Sequence, residues 1–229
     1  AIARLLDALL PNDCYACGAH AGRDMLCRDC LQSLPQLPAE RCPQCALPSP
    51  HGQLCGACLR DAPHYDASLA RWAYEFPIRE MVQALKYQAR LAMAPWMARA
   101  LADLEPPPEA DCLIALPLHP ARLAERGFNQ SVEIARDLAR HWGLPLVIDA
   151  CVKDRMVEPQ AKLPWKARRK NIRGAFRCLE DMSGKRIVVV LPDGGRAYIS
   201  KFFSDEWMRD NGFADPEPVG PSTVRRILG

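Results

Sequence analysis

The sequence predicts an α/β protein: a small cysteine-rich module, then a mainly parallel sheet flanked by helices. Three observations carry that reading. Four Cys-x-x-Cys pairs crowd into the first quarter of the chain. Beyond them, short apolar runs recur at 112–116, 146–148 and 187–191, and such continuous runs fit strands buried on both faces. Around the runs, apolar residues return at three- and four-residue spacing, which marks helices; strands alternating with helices build parallel sheets.

The cysteine pairs come first because their spacing is the most specific signal. The chain reads Cys14-x-x-Cys17, nine residues, Cys27-x-x-Cys30, then Cys42-x-x-Cys45, nine residues, Cys55-x-x-Cys58. Each cysteine of the first set recurs 28 positions later, and Leu26 and Leu31 recur as Leu54 and Leu59. The unit is a duplication. A two-residue spacer turns both thiolates of a knuckle toward one ion, and two knuckles supply the four sulfurs of a closed tetrahedral zinc site. Cys14, Cys17, Cys27, Cys30, Cys42, Cys45, Cys55 and Cys58 are therefore the predicted ligands of structural zinc, one or two ions. Three arrangements satisfy the spacing: each half closes its own site, the knuckles alternate in a cross-brace, or one zinc leaves four thiols free. Disulfides fit less well, since no secretory leader precedes the cysteines and a reduced, cytoplasmic setting is expected. Cys112, Cys151 and Cys178 read as reduced core residues.

Composition bounds the remainder. At 229 residues the chain has room for a metal module and one domain with a full core. Its 49% hydrophobic and 25% charged residues are ordinary for a globular protein. A net charge of +3 is too small to argue for nucleic acid by itself. No apolar run reaches the ~18 residues of a membrane span.

In chain order, Ile2, Leu5, Leu6 and Leu9 predict a short amphipathic helix stopped by Pro11. Ala70, Trp72 and Tyr74 alternate with polar positions and predict a strand over 65–74. After Pro77, Ile78, Met81, Val82 and Leu85 predict a helix; Pro95 opens a second, with Met97, Ala100, Leu101 and Leu104 on one face. The proline-rich stretch 105–109 is a stiff linker. The run at 112–116 leads into a loop through Pro117, His119 and Arg122 and then Arg126-Gly127-Phe128-Asn129-Gln130. A helix follows with Ile134, Ala135, Leu138 and Trp142 inward, closed by Gly143 and Pro145. Between the last two runs lies Lys166-Ala167-Arg168-Arg169-Lys170-Asn171-Ile172-Arg173. Such a charge run is either a solvated face or a phosphate site, because guanidinium groups match phosphate oxygens two at a time.

Taken together, the cysteine module, Leu85-Lys86-Tyr87, Leu116-Pro117-Leu118-His119-x-x-Arg122, Arg126-Gly127-Phe128-Asn129-Gln130 and the later Arg155, Gln160, Leu163, Arg168, Asn171 and Gly174-Ala175-Phe176 resemble the ComF family. That resemblance covers about residues 2–190. It implies a zinc module (1–62) fused to a type I phosphoribosyltransferase-like domain (63–190), and a link to DNA uptake in competent bacteria. Phosphoribosyl transfer breaks the bond between ribose C1 and a pyrophosphate leaving group. Its site needs cations and backbone N–H groups around the leaving oxygens, with magnesium. The residues the resemblance assigns to that anion are Lys86, His119, Arg122, Arg126, Gly127, Arg155 and Arg168. Arg126 is the leading candidate, because Gly127 beside it permits close backbone approach.

The resemblance breaks after the third apolar run. The family carries an acidic pair for the ribose hydroxyls and a Thr-Thr-Gly loop for the 5′-phosphate. Aligned without gaps, Leu191 and Pro192 stand at the acidic positions, and Gly195, Arg196 and Ala197 at the loop. From Leu191 to about Phe213 the chain instead resembles the end of cystathionine β-synthase catalytic domains. It lacks that family's Schiff-base lysine region, so no pyridoxal phosphate enzyme follows, and purified protein should show no visible absorbance. The segment 191–229 is expected to supply a strand end and a short helix over 204–211. Asp193, Gly194 and Gly195 remain as a weak phosphate cradle, and phosphoribosyl transfer is expected to be weak or absent. The alternative is a non-catalytic module in which zinc and the basic segment grip single-stranded DNA or a competence protein, with Phe128, Trp165 and Phe176 stacking on bases. Salt-dependent DNA binding lost on replacing Arg168, Arg169 and Lys170 by Ala would select that reading.

Overall fold

A computed structural model describes residues 12–107, 109–158 and 163–192. The expected helix around Ile2–Leu9, Gln160, the tail from Asp193 with its expected helix, and the side chains of Trp165, Lys166 and Arg169 lie outside the described residues.

The duplication seen in the sequence is a duplication of structure. In the first half β1 (Asn12–Asp13) pairs with β2 (His20–Gly22), and α1 (Arg28–Gln32) follows. In the second half the Asp13–His20 pair recurs as an Arg41–Pro48 bridge, and α2 (Gly56–Arg60) stands 28 residues after α1. The knuckle turns repeat bond for bond. Gly18 N–H donates to the Cys14 carbonyl at 2.8 Å, and Ala46 N–H to the Cys42 carbonyl at 2.9 Å. The turn needs a left-handed residue, and Gly18 (φ 75°) and Ala46 (φ 56°) both adopt that conformation. Alanine is strained there and glycine is not. Ala46→Gly should therefore tighten zinc at the second half by about two- to fivefold, a gain of ~0.5–1 kcal/mol. Competition with a chromophoric chelator would measure it; weaker binding would contradict the turn assignment.

The two halves differ in what covers them. Cys14, Leu26 and Leu34 are buried in the main core, together with Ile78, Met81 and Leu85 of α3 (Ile78–Gln88). Tyr15 donates its hydroxyl hydrogen to the Glu80 carbonyl at 3.2 Å. Among the described residues, none from the second half belongs to that core. Leu54 and Leu59, the counterparts of Leu26 and Leu31, are 41% and 68% exposed.

The sheet forms where the apolar runs predict it. β3 (Cys112–Ala115) lies between β4 (Leu146–Val147) and β7 (Ile187–Val190), and both pairings are parallel. All of β3 is buried, as a central strand covered on both faces must be. Leu113 and Ala115 face the main core, with α4 (Met93–Ala102) and α6 (Gln130–Trp142) packed on it. Cys112 and Ile114 face a smaller cluster with Ala150 and Met182. Each buried aliphatic side chain contributes ~1.5–3 kcal/mol. The α/β class and parallel sheet stand as expected. Among the described residues no helix is long and apolar enough to cross a membrane.

Three local expectations change, and the basic segment gains a structure the sequence did not assign. The alternation over 65–74 is not a strand: Trp72 stacks on Trp96 of α4 with ring centroids 5.2 Å apart, while Ala70 is half-buried and Tyr74 exposed. Helix α4 starts at Met93, which leaves Pro95 inside the first turn, where a missing N–H costs nothing. The loop expected around Pro117–Arg122 turns helical as α5 (Pro120–Arg126), with His119 as cap and Pro120 at its first position. The basic segment is itself a helix, α7 (Trp165–Ile172), held between β5 (Cys151–Val152) and β6 (Arg177–Cys178), an antiparallel pair.

Candidate metal centres and anion site

The structure brings Cys14, Cys17, Cys27 and Cys30 into one cluster and Cys42, Cys45, Cys55 and Cys58 into another. Within each, the sulfur atoms all lie within 4.8 Å of one another. Each half thus closes its own site, and the cross-brace is excluded. The sulfurs of Cys17 and Cys27 are 3.7 Å apart, and those of Cys45 and Cys55 are 3.6 Å apart. Tetrahedral zinc with Zn–S bonds of ~2.3 Å separates its ligands by ~3.8 Å, so the donor sets fit structural zinc.

Thiolate is the ligating form, and the fold prepares it. Burial raises the Cys14 thiol, but backbone N–H groups of Cys27, Cys17 and Ala16 outweigh that and bring it down to about 6. Cys42 is likewise lowered to about 6, against its burial, by the N–H groups of Cys45, Cys55 and Gln44. Cys30 is pushed up, first by Cys17 and then by Cys27. Cys58 is pushed up by burial and then by Cys45. Four sulfurs this close cannot all ionise without a cation, and zinc supplies that charge.

A second feature arises from the strand order. From β3 the chain moves to β4 on one side, and β7 later joins on the other. Open α/β sheets bind ligands at such a switch point, outside the carboxyl ends of the strands. Here that edge is formed by 116–119 after β3 and by Leu191 and Pro192 after β7. Asn129 ties it to α6: its side-chain NH₂ donates to the Leu116 carbonyl at 3.0 Å, while its oxygen caps the helix through Ser131 N–H at 2.9 Å.

The residues assigned by resemblance fall around this edge unequally. His119 caps α5, its Nδ1 accepting from Ala121 N–H at 3.2 Å. Arg122 pairs with Glu125 at 2.7 Å. Arg126 bonds to the buried Gln130 and lies 5.6 Å from the Tyr87 ring centre. Gly127 ends α5 with φ 80°, a left-handed residue that glycine adopts freely. Lys86 sits in the last turn of α3. Arg155 donates to the carbonyls of Asn171 (2.9 Å) and Arg173 (2.6 Å), tying β5's exit to the end of α7. Arg168 donates through Nε to the Leu163 carbonyl at 3.0 Å. Asp193, Gly194 and Gly195 lie outside the described residues.

One cation escaped sequence reasoning. Lys153 follows β5 with its ammonium 5.3 Å from the Phe176 ring centre. Its pKa is lowered, first by burial and then by repulsion from Arg122 and Arg155. Three cations from two separate stretches of chain therefore share one neighbourhood. Only the tertiary structure unites them; the local Lys153-Asp154-Arg155 pattern is a weak signal.

Leu191 settles how the edge after β7 is lined. It packs on the cluster of Leu116, Ile172, Ala175 and Phe176, with Val157 alongside. An apolar side chain thus stands where the resemblance expects a carboxylate.

Comparison with known proteins agrees with the metal centres. The Double zinc ribbon domain family matches residues 5–59. The DNA utilization protein YhgH of Escherichia coli O157:H7 is 31% identical over 160 residues, covering 65% of this chain and 69% of that protein. Competence protein F of Haemophilus influenzae is 27% identical over 171 residues, 69% of this chain and 71% of the relative. A separate stretch of 40 residues, 18% of this chain, is 53% identical to cystathionine beta-synthase of Oryctolagus cuniculus, but covers only 7% of that enzyme. No solved structure matches the chain. By fold and site this is a double-zinc-ribbon protein with a parallel α/β sheet behind the metal module. It belongs to the ComF family, that of DNA utilization protein YhgH and competence protein F.

Proposed function

We propose that residues 63–190 form a phosphoribosyltransferase-type domain that takes a sugar pyrophosphate, phosphoribosyl pyrophosphate with magnesium, at the β3–β7 switch point. We propose further that ribosyl transfer by this chain is weak or absent. Residues 1–62 are the zinc module and 191–229 a divergent end. The names of the relatives support a role in DNA utilization or competence, which we place in the cytoplasm.

The observation that carries the reading is the partly buried Lys153 ammonium over the Phe176 ring, disfavoured by burial and by the charges of Arg122 and Arg155. Lys86, Arg126 and Arg168 complete the proposed anion set, with backbone N–H groups near Gly127. Magnesium would neutralise part of the pyrophosphate charge. The missing carboxylates at Leu191 and Pro192 would leave the ribose without partners for its hydroxyls.

Calorimetric titration of the zinc-loaded chain with phosphoribosyl pyrophosphate and magnesium is expected to show binding weaker than micromolar. Micromolar binding would overturn the proposal of a crippled site.

Lys153 gives the binding a sign with pH. In the free protein its ammonium is disfavoured, so part of the population is neutral below the ordinary lysine pKa. A bound anion favours the charged form. Binding should take up protons in that alkaline range, and affinity should fall as pH rises through it. Titrations of magnesium pyrophosphate in buffers of different ionisation enthalpy measure the uptake. Lys153→Met should abolish it and weaken binding about tenfold, the loss of one charge-assisted contact. Uptake unchanged in that variant would remove Lys153 from the site.

A further inference from the structure

Away from the zinc clusters, two of the three cysteines read as reduced core residues prove to face each other. Cys151 of β5 and Cys178 of β6 are direct cross-strand partners, and their sulfurs are 3.0 Å apart. Both are free thiols. Leu179 N–H donates to the Ala150 carbonyl at 2.7 Å, which makes the neighbouring pair the hydrogen-bonded one. The alternation of an antiparallel ladder then makes Cys151–Cys178 a non-hydrogen-bonded pair. Such pairs bring Cα atoms to ~4.5 Å, inside the range a disulfide spans.

The position of the pair is as informative as its geometry. β5 and β6 are the two stems of the segment 153–176, which holds Lys153, Arg155, Arg168 and the whole of α7. Their ladder is only two residues long on each side. The described ties across it include the Arg177–Asp154 ion pair at 2.7 Å and the Leu179–Ala150 bond. A covalent link at this point would govern how easily the segment opens.

We propose that Cys151 and Cys178 form a reversible disulfide that clamps the stems of this segment. The oxidant is a low-molecular-weight disulfide. Cys178, the more exposed of the two, attacks one of its sulfurs as thiolate, forms a mixed disulfide and expels one small thiolate. Cys151 then loses its proton to solvent and attacks the Cys178 sulfur, expelling the second small thiolate. Both small thiolates take up protons, so one disulfide is reduced and one is made. The hydrogen bond from Cys151 lowers the Cys178 pKa, while that same contact and burial raise Cys151, which fits the order of attack. Cross-strand disulfides at this kind of site are strained and easily reduced, as a reversible link requires.

The test uses the full-length, zinc-loaded chain with oxidised glutathione, differential alkylation, peptide mass spectrometry and a parallel zinc assay. A linked Cys151–Cys178 peptide should form while both zincs stay bound, and dithiothreitol should reverse it. Cys151→Ser should stop the reaction at a glutathione adduct on Cys178, and Cys178→Ser should leave Cys151 unmodified. Tryptic cleavage within 153–176 should slow about tenfold in the oxidised protein, since local opening precedes cleavage. Cys151 and Cys178 both still alkylatable in zinc-replete wild type after oxidation would overturn the disulfide. An unchanged cleavage rate in the linked form would overturn the clamp. Neither result depends on which anion the segment holds.

Discussion

Replacing Leu26 by alanine is expected to destabilise the protein by ~2–5 kcal/mol, whereas the same change at Leu54 should stay within about 0.5 kcal/mol. The two leucines occupy equivalent positions, 28 residues apart, in a duplicated unit. They differ in surroundings: Leu26 is 1% exposed in the main core and Leu54 is 41% exposed. The cysteines should follow the same asymmetry. Cys14→Ser removes a zinc ligand that is also part of the core shared with α3, α4 and α6. Cys42→Ser removes a ligand whose half adds nothing to that core among the described residues. Each change should release one zinc of the two. Structural zinc sites contribute ~10–16 kcal/mol of apparent binding energy, so loss of either should unfold its own half. Only the first loss should also lower the main unfolding transition, because it strips the cover from Ile78, Met81 and Leu85. Denaturant unfolding at fixed free zinc, with zinc counted in the same samples, decides the matter. Equal shifts from the two serine variants would refute the asymmetry.

That contrast also marks how far the sequence reaches. Metal spacing is a local property, so the eight ligands and the repeat were legible, and so were α3, α6, β3 and β7, whose periods run long enough to register. The partition into two sites was not, because knuckle pairing depends on how the nine-residue loops fold back. Nor does the repeat reveal that one copy is buried and the other exposed, since both carry the same leucines. Strands β5 and β6, two residues each, are too short for any period. Their pairing unites Cys151 with Cys178 and places Lys153 beside Phe176, so both features stay hidden until the chain is folded. The strand expected over 65–74 failed for a different reason: Trp72 stacks on Trp96, but Ala70 is half-buried and Tyr74 exposed, so the alternation there does not record one buried face.

Leu191→Asp is the change with the largest expected gain. Leu191 stands at the carboxyl end of β7, beside the Leu116 edge of β3, where the family resemblance expects the first acidic residue. Two effects oppose each other. Removing the leucine from its contacts with Leu116, Ile172 and Phe176 and setting a carboxylate there should cost ~1–3 kcal/mol. A domain of ordinary stability, ~5–15 kcal/mol, survives that loss. In exchange, under the proposed function, the switch point would acquire an acceptor for ribose hydroxyls. Magnesium-dependent binding of phosphoribosyl pyrophosphate should strengthen at least about tenfold, or ~1.4 kcal/mol, typical of a hydrogen bond to a charged group. Leu191→Asn separates the terms: it shares the loss of packing but lacks the charge, and should recover much less. Binding of pyrophosphate alone, which has no ribose, should not improve in either variant. A folded Leu191→Asp protein with unimproved affinity for the sugar pyrophosphate would remove ribose from the switch point. Equal gains for both ligands would show that the new carboxylate acts through magnesium alone.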